Sequence, residues 1–323
     1  MRIVFFGNAE FGIPSLERLV SSPHPVVAVV TNPDKPQGRG RVLAPTSIKR
    51  KALELGLSVL EVEDLSSQDF YNQLATYRAD LFVVIAFRIL PEKIFTLPPG
   101  GSVNLHASLL PRYRGAAPIR WVLINGEKKT GVTTFFIEKK VDAGGVILQK
   151  ETEIKESEDY GELYQRLSRS GAEAMLETVD LILKEEVRII PQDSTLASAA
   201  PKITKEMGRI DWYQKALNLF NSIRGLSPRP AAYTYYKGKT LKILRASWDD
   251  TDVPSATPGE ITSADNTEGI KVQTQNGQLR LLYLQLEGKS VLSAEEFLRG
   301  KRLKVGEKLG RERVNTLQGK PSG

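Results

Sequence analysis

Short apolar runs punctuate the first half of the chain. Ile3–Phe6, Val26–Val30 and Leu81–Ala86 are continuous and mostly aliphatic, the pattern of strands covered on both faces. Between the first two, Phe11, Ile13, Leu16, Leu19 and Val20 recur at helical spacing over residues 10–21, and Pro14 fits a first helical turn. The same periodicities predict helices over 46–55, 67–78, 91–95 and 117–124. They predict strands over 57–60, 101–106, 130–137 and 145–152. Residues 159–184 carry apolar positions at Leu163, Leu167, Ala172, Met175, Leu176, Val179 and Leu183, one long amphipathic helix. Alternating strands and helices predict an α/β domain with a mostly parallel sheet and right-handed crossovers. The loops after the strands then gather at the carboxyl edge, where such sheets bind ligands.

Two stretches break the pattern. Thr31–Pro45 contains Pro33, Pro36, Gly38 and Gly40, which predict irregular backbone, and Lys35, Arg39 and Arg41, which make it basic. It is either a functional loop or a solvated excursion. Residues 187–204 read as a linker, so the expected boundaries are a first domain over 1–186 and a second over 205–323. The second is predicted to hold a helix over 211–224 and a hairpin over 231–247 turning at Lys237-Gly238. Strands over 259–263, 269–274 and 279–286 follow, with Asn276-Gly277 as the last turn, and then a helix near 293–300. Several short strands in that length suit a small β-barrel such as an OB-fold.

Composition narrows the chemistry. At 323 residues, with 41% hydrophobic and 26% charged residues, the chain has the balance of a globular protein of two domains. No apolar run reaches the roughly 18 residues of a membrane span, and the N-terminus reads as a strand rather than a signal peptide. There is no cysteine, and His24 and His106 are the only histidines. Disulfides, thiolate nucleophiles and Cys- or His-rich metal sites are excluded; a carboxylate-bound Mg²⁺ stays open but nothing asks for it, so no metal is expected, and the reducing cytoplasm is the default compartment. Residues 201–323 carry 21 Lys and Arg against 13 Asp and Glu, leaving 24 against 25 in the first 200 residues. A basic second module suits an anionic partner such as a nucleic acid, or simply a solubilising surface.

The densest chemistry is Asn104-Leu-His-Ala-Ser-Leu-Leu-Pro-Arg-Tyr-Arg-Gly-Ala-Ala-Pro-Ile119. Alternate strand positions put the side chains of Asn104 and His106 on one face. Imidazole exchanges protons near neutral pH, and a neutral amide can stabilise a developing oxyanion. A carboxylate nearby would orient the imidazole. Asp142, in the turn Val141-Asp-Ala-Gly-Gly145, is the candidate, although an Asp before Gly is also an ordinary turn residue. Ser108 lacks a nucleophile-elbow context, so direct transfer through a tetrahedral intermediate is favoured over covalent catalysis.

Asn104-Leu-His106, Ser108–Pro111, Arg114-Gly-Ala-Ala-Pro118 and Asp142-Ala-Gly144 together resemble the formyltetrahydrofolate-dependent formyltransferases. Phe6–Phe11, Pro33–Gly40 and Gly208–Trp212 extend the resemblance over essentially the whole chain, most closely to the branch acting on methionyl-tRNA. The resemblance implies a Rossmann-like catalytic domain of the formyltransferase fold followed by an OB-like barrel. It implies 10-formyltetrahydrofolate as co-substrate, initiator methionyl-tRNA as acceptor through its free α-amine, and a monomer in the cytoplasm. The catalytic Asn, His and Asp fall on Asn104, His106 and Asp142, and the folate-contacting segment on Ser108, Leu109, Leu110 and Pro111. The tRNA-gripping loop falls on Thr31–Pro45, with its key arginine on Arg39 and with Lys35 and Arg41 as further tRNA-binding residues. The sequence departs from the family pattern at Ala107 (usually Gly), at Gly145 (commonly acidic) and at Phe87-Arg88 (usually Tyr-Gly). Formyltransferases acting on sugar nucleotides or glycinamide ribonucleotide would keep the Asn/His/Asp set without needing the basic parts. A non-catalytic RNA binder would have no use for that set. A Rossmann dehydrogenase is disfavoured because the glycine fingerprint is missing.

Overall fold

The computed structural model of the chain describes all residues except 38–41, 266, 301–302 and 311–323. These form two compact units. The first comprises Met1–Ile119, Lys128–Glu156 and Gly161–Pro201; the second comprises Arg120–Glu127, Ser157–Tyr160 and the chain from Lys202 onward.

In chain order the first part holds β1 (Ile3–Gly7), α1 (Ile13–Val20), β2 (Val26–Thr31), β3 (Lys35–Gln37), β4 (Val42–Ala44), α2 (Ser47–Glu54), β5 (Val59–Glu61) and α3 (Gln68–Thr76). There follow β6 (Leu81–Ile85), α4 (Glu92–Phe95), β7 (Ser102–His106), α5 (Pro118–Ile124), β8 (Lys129–Phe136), β9 (Val146–Glu153) and α6 (Tyr160–Leu183). Seven strands make one sheet in the order β5-β2-β1-β6-β7-β8-β9. The first five run parallel, and β8 pairs antiparallel with both β7 and β9. The strand order reverses between β1 and β6, the position where open α/β sheets form a ligand crevice at their carboxyl edge.

The apolar runs became central strands because both faces are buried. Val4, Phe6, Ala28, Val30, Phe82 and Val84 form one cluster with Phe70, Leu74, Ile94 and Phe95. Ile3, Phe5 and Val29 are also fully buried. Each of the larger side chains, Val, Ile, Leu or Phe, contributes about 1.5–3 kcal/mol on burial. Thr46 and Ser67 accept from the backbone N–H of Lys49 and Phe70 and so fix the starts of α2 and α3. Gly171 brings α6 against β7: a Cβ there would come within 2.6 Å of the Leu105 side chain. Leu105 thus packs on α6 while Asn104 and His106 point to the opposite face of β7. No helix among the described residues is long and apolar enough to cross a membrane.

Three local expectations change. Thr31–Pro45 is not irregular throughout: β3 and β4 pair antiparallel, Pro36 opposite Leu43. Pro36 is tolerated because a two-stranded ribbon has free outer edges where an N–H is dispensable. Lys35 opens that ribbon, whereas Arg39 and Arg41 lie outside the described residues. The helix expected from Asp211 begins only at Ala216, because Trp212 is buried and donates its indole N–H to Thr234 Oγ1. Residues 187–201, read above as the start of a linker, bond extensively within the first unit.

The second unit holds α7 (Ala216–Leu226), β10 (Ala232–Tyr236), β11 (Lys239–Asp249), β12 (Ile261–Asp265), β13 (Gly269–Gln273), β14 (Gln278–Leu286), β15 (Val291–Ser293) and α8 (Ala294–Gly300). All its strand pairings are antiparallel, in the order β10-β11-β14-β13-β12, with β15 added to β14. Gly277 at φ 82° makes the tight β13–β14 turn expected from Asn-Gly. The expected closed barrel is not formed by strand pairing among the described residues, because β10 and β12 remain outer strands. The unit is therefore a domain of antiparallel strands around the core of Trp212, Phe220, Ile243, Leu281 and Phe297.

Candidate active site

The site is built on the carboxyl end of β7. Asn104 is half-buried there, and its amide makes no hydrogen bond to any described residue. A polar group in that position is available to a ligand. His106, two residues on, is 6% exposed. Its Nε2 lies 2.8 Å from the Tyr113 carbonyl oxygen. A carbonyl can only accept, so Nε2 carries the hydrogen and Nδ1 is the nitrogen left outside that bond. Nδ1 faces Asp142 Oδ2 at 3.9 Å. That is too long for a hydrogen bond, so the two groups face each other without being bonded.

Asp142 is held in place by backbone. Its φ of 52° is left-handed, a conformation Asp tolerates in turns. Oδ2 accepts from the Gly115 N–H at 2.9 Å. Gly144, two residues on, has no space for a side chain, since a Cβ would fall 1.8 Å from the Phe136 carbonyl oxygen. The turn therefore lies flat on the end of β8. Asn104, His106 and Asp142 belong to the same unit, and the fold brings the last two face to face.

Ser108 to Pro111 leave β7 as a tightly tied loop. The Ser108 hydroxyl is fully buried and donates to the Arg112 carbonyl, so it is engaged within the loop. Thr133 Oγ1 accepts from Leu110 N–H and donates to the Ser108 carbonyl, and Gln149 Nε2 donates to the Leu110 carbonyl. Leu110 is buried, Leu109 and Pro111 are half-buried, and the Leu110–Pro111 peptide is cis. What this segment presents to a ligand is shape set by β8 and β9.

The three sequence departures have structural counterparts. Ala107 is accommodated at 8% exposure. Gly145 makes room for Ile189, whose Cγ2 would lie 2.2 Å from an added Cβ. Arg88 grips the Val62 and Glu63 carbonyls at 2.6 Å each and lies over the Phe87 ring, which in turn meets Phe6 edge-on. Burial pushes the Arg88 guanidinium below its usual range. The Phe87-Arg88 pair thus braces the loop after β6, where Ala86 turns at φ 50°.

At the neck of the basic ribbon, Lys49 meets Asp34 at 2.6 Å and Glu61 at 2.8 Å. Its hydrogen bonds, first to Asp34 and then to Glu61, hold the ammonium above its ordinary range. Sequence reasoning missed this latch and the strap of residues 189–200, which lies across the loop after β7. Ile190 and Val146 exchange backbone hydrogen bonds, Ser198 Oγ accepts from Tyr113 N–H, and Ala200 N–H donates to the Arg114 carbonyl. These are backbone contacts with no side-chain signature, apart from Gln192 and Ser198 in a run of small and polar residues.

Residues 1–179 match the formyl transferase family, and residues 202–302 match the formyl transferase C-terminal domain. The chain is 46% identical over 311 residues to methionyl-tRNA formyltransferase of Chlorobium limicola, covering 93% of this chain and 96% of that one. It is 40% identical to the enzyme of the same name from Alkaliphilus oremlandii, covering 96% and 100%. Its fold is similar to the N-formyltransferase of Helicobacter canadensis solved with folinic acid and dTDP-3-aminofucose, with TM-score 0.66 and 17% identity over 87% of this chain and 99% of that one. It is also similar to HypX of Aquifex aeolicus solved with tetrahydrofolic acid, with TM-score 0.60 and 18% identity over 95% and 50%. With both domain families matched in order and full-length relatives at this identity, the chain belongs to the methionyl-tRNA formyltransferase family.

Proposed function

We propose that the chain transfers the formyl group of 10-formyltetrahydrofolate to the free α-amine of initiator methionyl-tRNA. The observation that supports it best is the Asn104–His106–Asp142 arrangement at the carboxyl edge of the sheet: a free amide, and an imidazole facing a carboxylate across 3.9 Å. The donor set fits a formyl carbonyl and an amine, which need a hydrogen-bond donor on one side and a proton acceptor on the other.

The amine nitrogen attacks the formyl carbon, and the carbonyl electrons move to its oxygen. The Asn104 amide and the Nδ1–H of protonated His106 stabilise that oxygen, and Tyr113 fixes the ring by holding Nε2–H. Asp142 assists removal of a proton from the amine. The donor nitrogen leaves with a proton, so one N–H is exchanged for another and nothing is oxidised. Ser108, Leu109, Leu110 and Pro111 wall the folate side. Lys35, Arg39 and Arg41 grip the tRNA end, and Lys49 fixes the neck of the β3–β4 ribbon that Lys35 opens. The basic second unit meets tRNA phosphates.

An OB-like closure of that unit is supported by residues 306–310. Ile261 N–H donates to the Glu307 carbonyl, Leu309 N–H to Gly259, and Gly310 N–H to Tyr235, so this segment bonds beside both outer strands. The function is tested by offering 10-formyltetrahydrofolate with methionyl-tRNA, an amino sugar nucleotide or glycinamide ribonucleotide. Formylation of methionyl-tRNA alone is expected; preference for either small amine would overturn the assignment.

A further inference from the structure

Gln192 occupies an unusual position for a residue of the strap. Its side-chain oxygen accepts from Arg114, from Nη2 at 2.6 Å and from Nε at 3.2 Å. Its side-chain nitrogen donates to the Asp142 carbonyl at 3.0 Å and to the Gly144 carbonyl at 2.8 Å. One amide therefore uses all of its polarity to join two loops. These are the two loops that meet at the Gly115 N–H to Asp142 Oδ2 bond, since Arg114 adjoins Gly115.

The joint has little slack. Gly115 sits at φ 122°, where a Cβ would lie 2.8 Å from the Ala200 carbonyl oxygen, so the strap presses directly on that backbone. Arg114 N–H donates to the Ser198 carbonyl at 2.8 Å, fixing the same residue from the other side. On the Asp142 side, Ile189 fills the space over Gly145. The left-handed Asp142 backbone is held through its carbonyl, and its carboxylate through Gly115. Without Gln192 the turn loses a side chain that bonds two of its backbone carbonyls.

We propose that Gln192 is a positioning residue for formyl transfer: it sets the Asp142 carboxylate opposite His106 Nδ1 by tying the Asp142 turn to the Arg114 loop. This rests on the function proposed above. The distance it controls is the 3.9 Å between the carboxylate and the imidazole that flank the reacting atoms. A displacement of about 1 Å in such a pair costs about 10²-fold in rate. Substrate binding, which uses other surfaces, is spared.

The test uses the full chain with Gln192→Met and Gln192→Glu. Met keeps the length and removes both halves of the joint. Glu keeps the acceptor for Arg114 and loses the donors to the two carbonyls. Both variants are expected to lose about 10²-fold in kcat. KM for 10-formyltetrahydrofolate and for methionyl-tRNA should stay within about threefold. Hydrogen exchange at the Gly115 amide, followed by NMR, is expected to speed up in both. Wild-type kcat per folded molecule in either variant would overturn the proposal, as would a loss confined to KM. Wild-type kcat in Gln192→Glu alone would mean that the Arg114 half suffices, which also overturns it. Should the wild-type chain formylate no methionyl-tRNA, the function fails separately. Gly115 exchange then decides the joint: faster exchange supports it and unchanged exchange overturns it.

Discussion

The two histidines of the chain each face an aspartate, and the two pairs are built differently. His24 lies just before the amino end of β2, is 3% exposed, and brings Nε2 to 2.8 Å from Asp180 Oδ1. Its other nitrogen accepts from the Met1 amine at 3.4 Å. Both ring nitrogens are satisfied by fixed groups, and the pair anchors the start of β2 to α6. His106 lies at the carboxyl end of β7, gives Nε2 to a backbone carbonyl, and leaves Nδ1 3.9 Å from Asp142. The closer pair is the structural one. A reacting imidazole needs one nitrogen fixed and the other within reach of a ligand, so a completed hydrogen bond on both sides argues for scaffold and an incomplete one for chemistry.

The sharpest way to break this comparison is to remove each side chain in turn. His106→Ala and Asp142→Ala are expected to lower kcat for formyl transfer by about 10²–10⁴-fold, the usual worth of a positioned acid or base, with tRNA affinity kept. Near-wild-type turnover in either would end the assignment. Asn104→Ala follows, with an expected loss of about 10²–10³-fold in kcat if its free amide holds the oxyanion. A change seen only in KM would make Asn104 a binding group instead.

His24→Ala should do the opposite. It leaves kcat within about twofold and lowers unfolding stability by about 1–3 kcal/mol in urea, the worth of a buried imidazole's hydrogen bonds to charged groups. A large fall in kcat with stability intact would erase the distinction between the pairs. The smallest effect is expected at the ribbon neck. Lys49→Met should raise KM for methionyl-tRNA by about two- to fivefold, the scale of exposed ion pairs, and leave KM for folate alone. Equal changes in both would place the latch at the folate side.

Much of the first unit is legible in sequence because its strands are local apolar runs. β1, β2, β6 and α6 fall within a few residues of their periodicities. The β3–β4 ribbon was hidden because Pro36 argues against a strand, and only pairing with Leu43 shows that its missing N–H is harmless. The late start of α7 was hidden because Trp212 chose a partner on β10, Thr234, over a helical turn. In the site, Asn104 and His106 are visible as a pair two residues apart. Asp142 could be named only as a candidate, because its φ of 52° and its bond to Gly115 are backbone facts. The strap was hidden for the same reason.

The sequence by itself determined the reagents: a chain without cysteine, with two histidines, an amide and imidazole on one strand face, and an excess of cations in its last third. It also determined the parallel sheet that would carry them, since continuous apolar runs have nowhere to go but between two layers. The tertiary structure decided which histidine has its aspartate in bonding contact, since spacing cannot tell a 2.8 Å contact from a 3.9 Å gap. It also decided that a segment resembling a linker should brace the site. That choice rests on backbone hydrogen bonds, which any residue but proline can donate and which therefore leave almost no trace in composition.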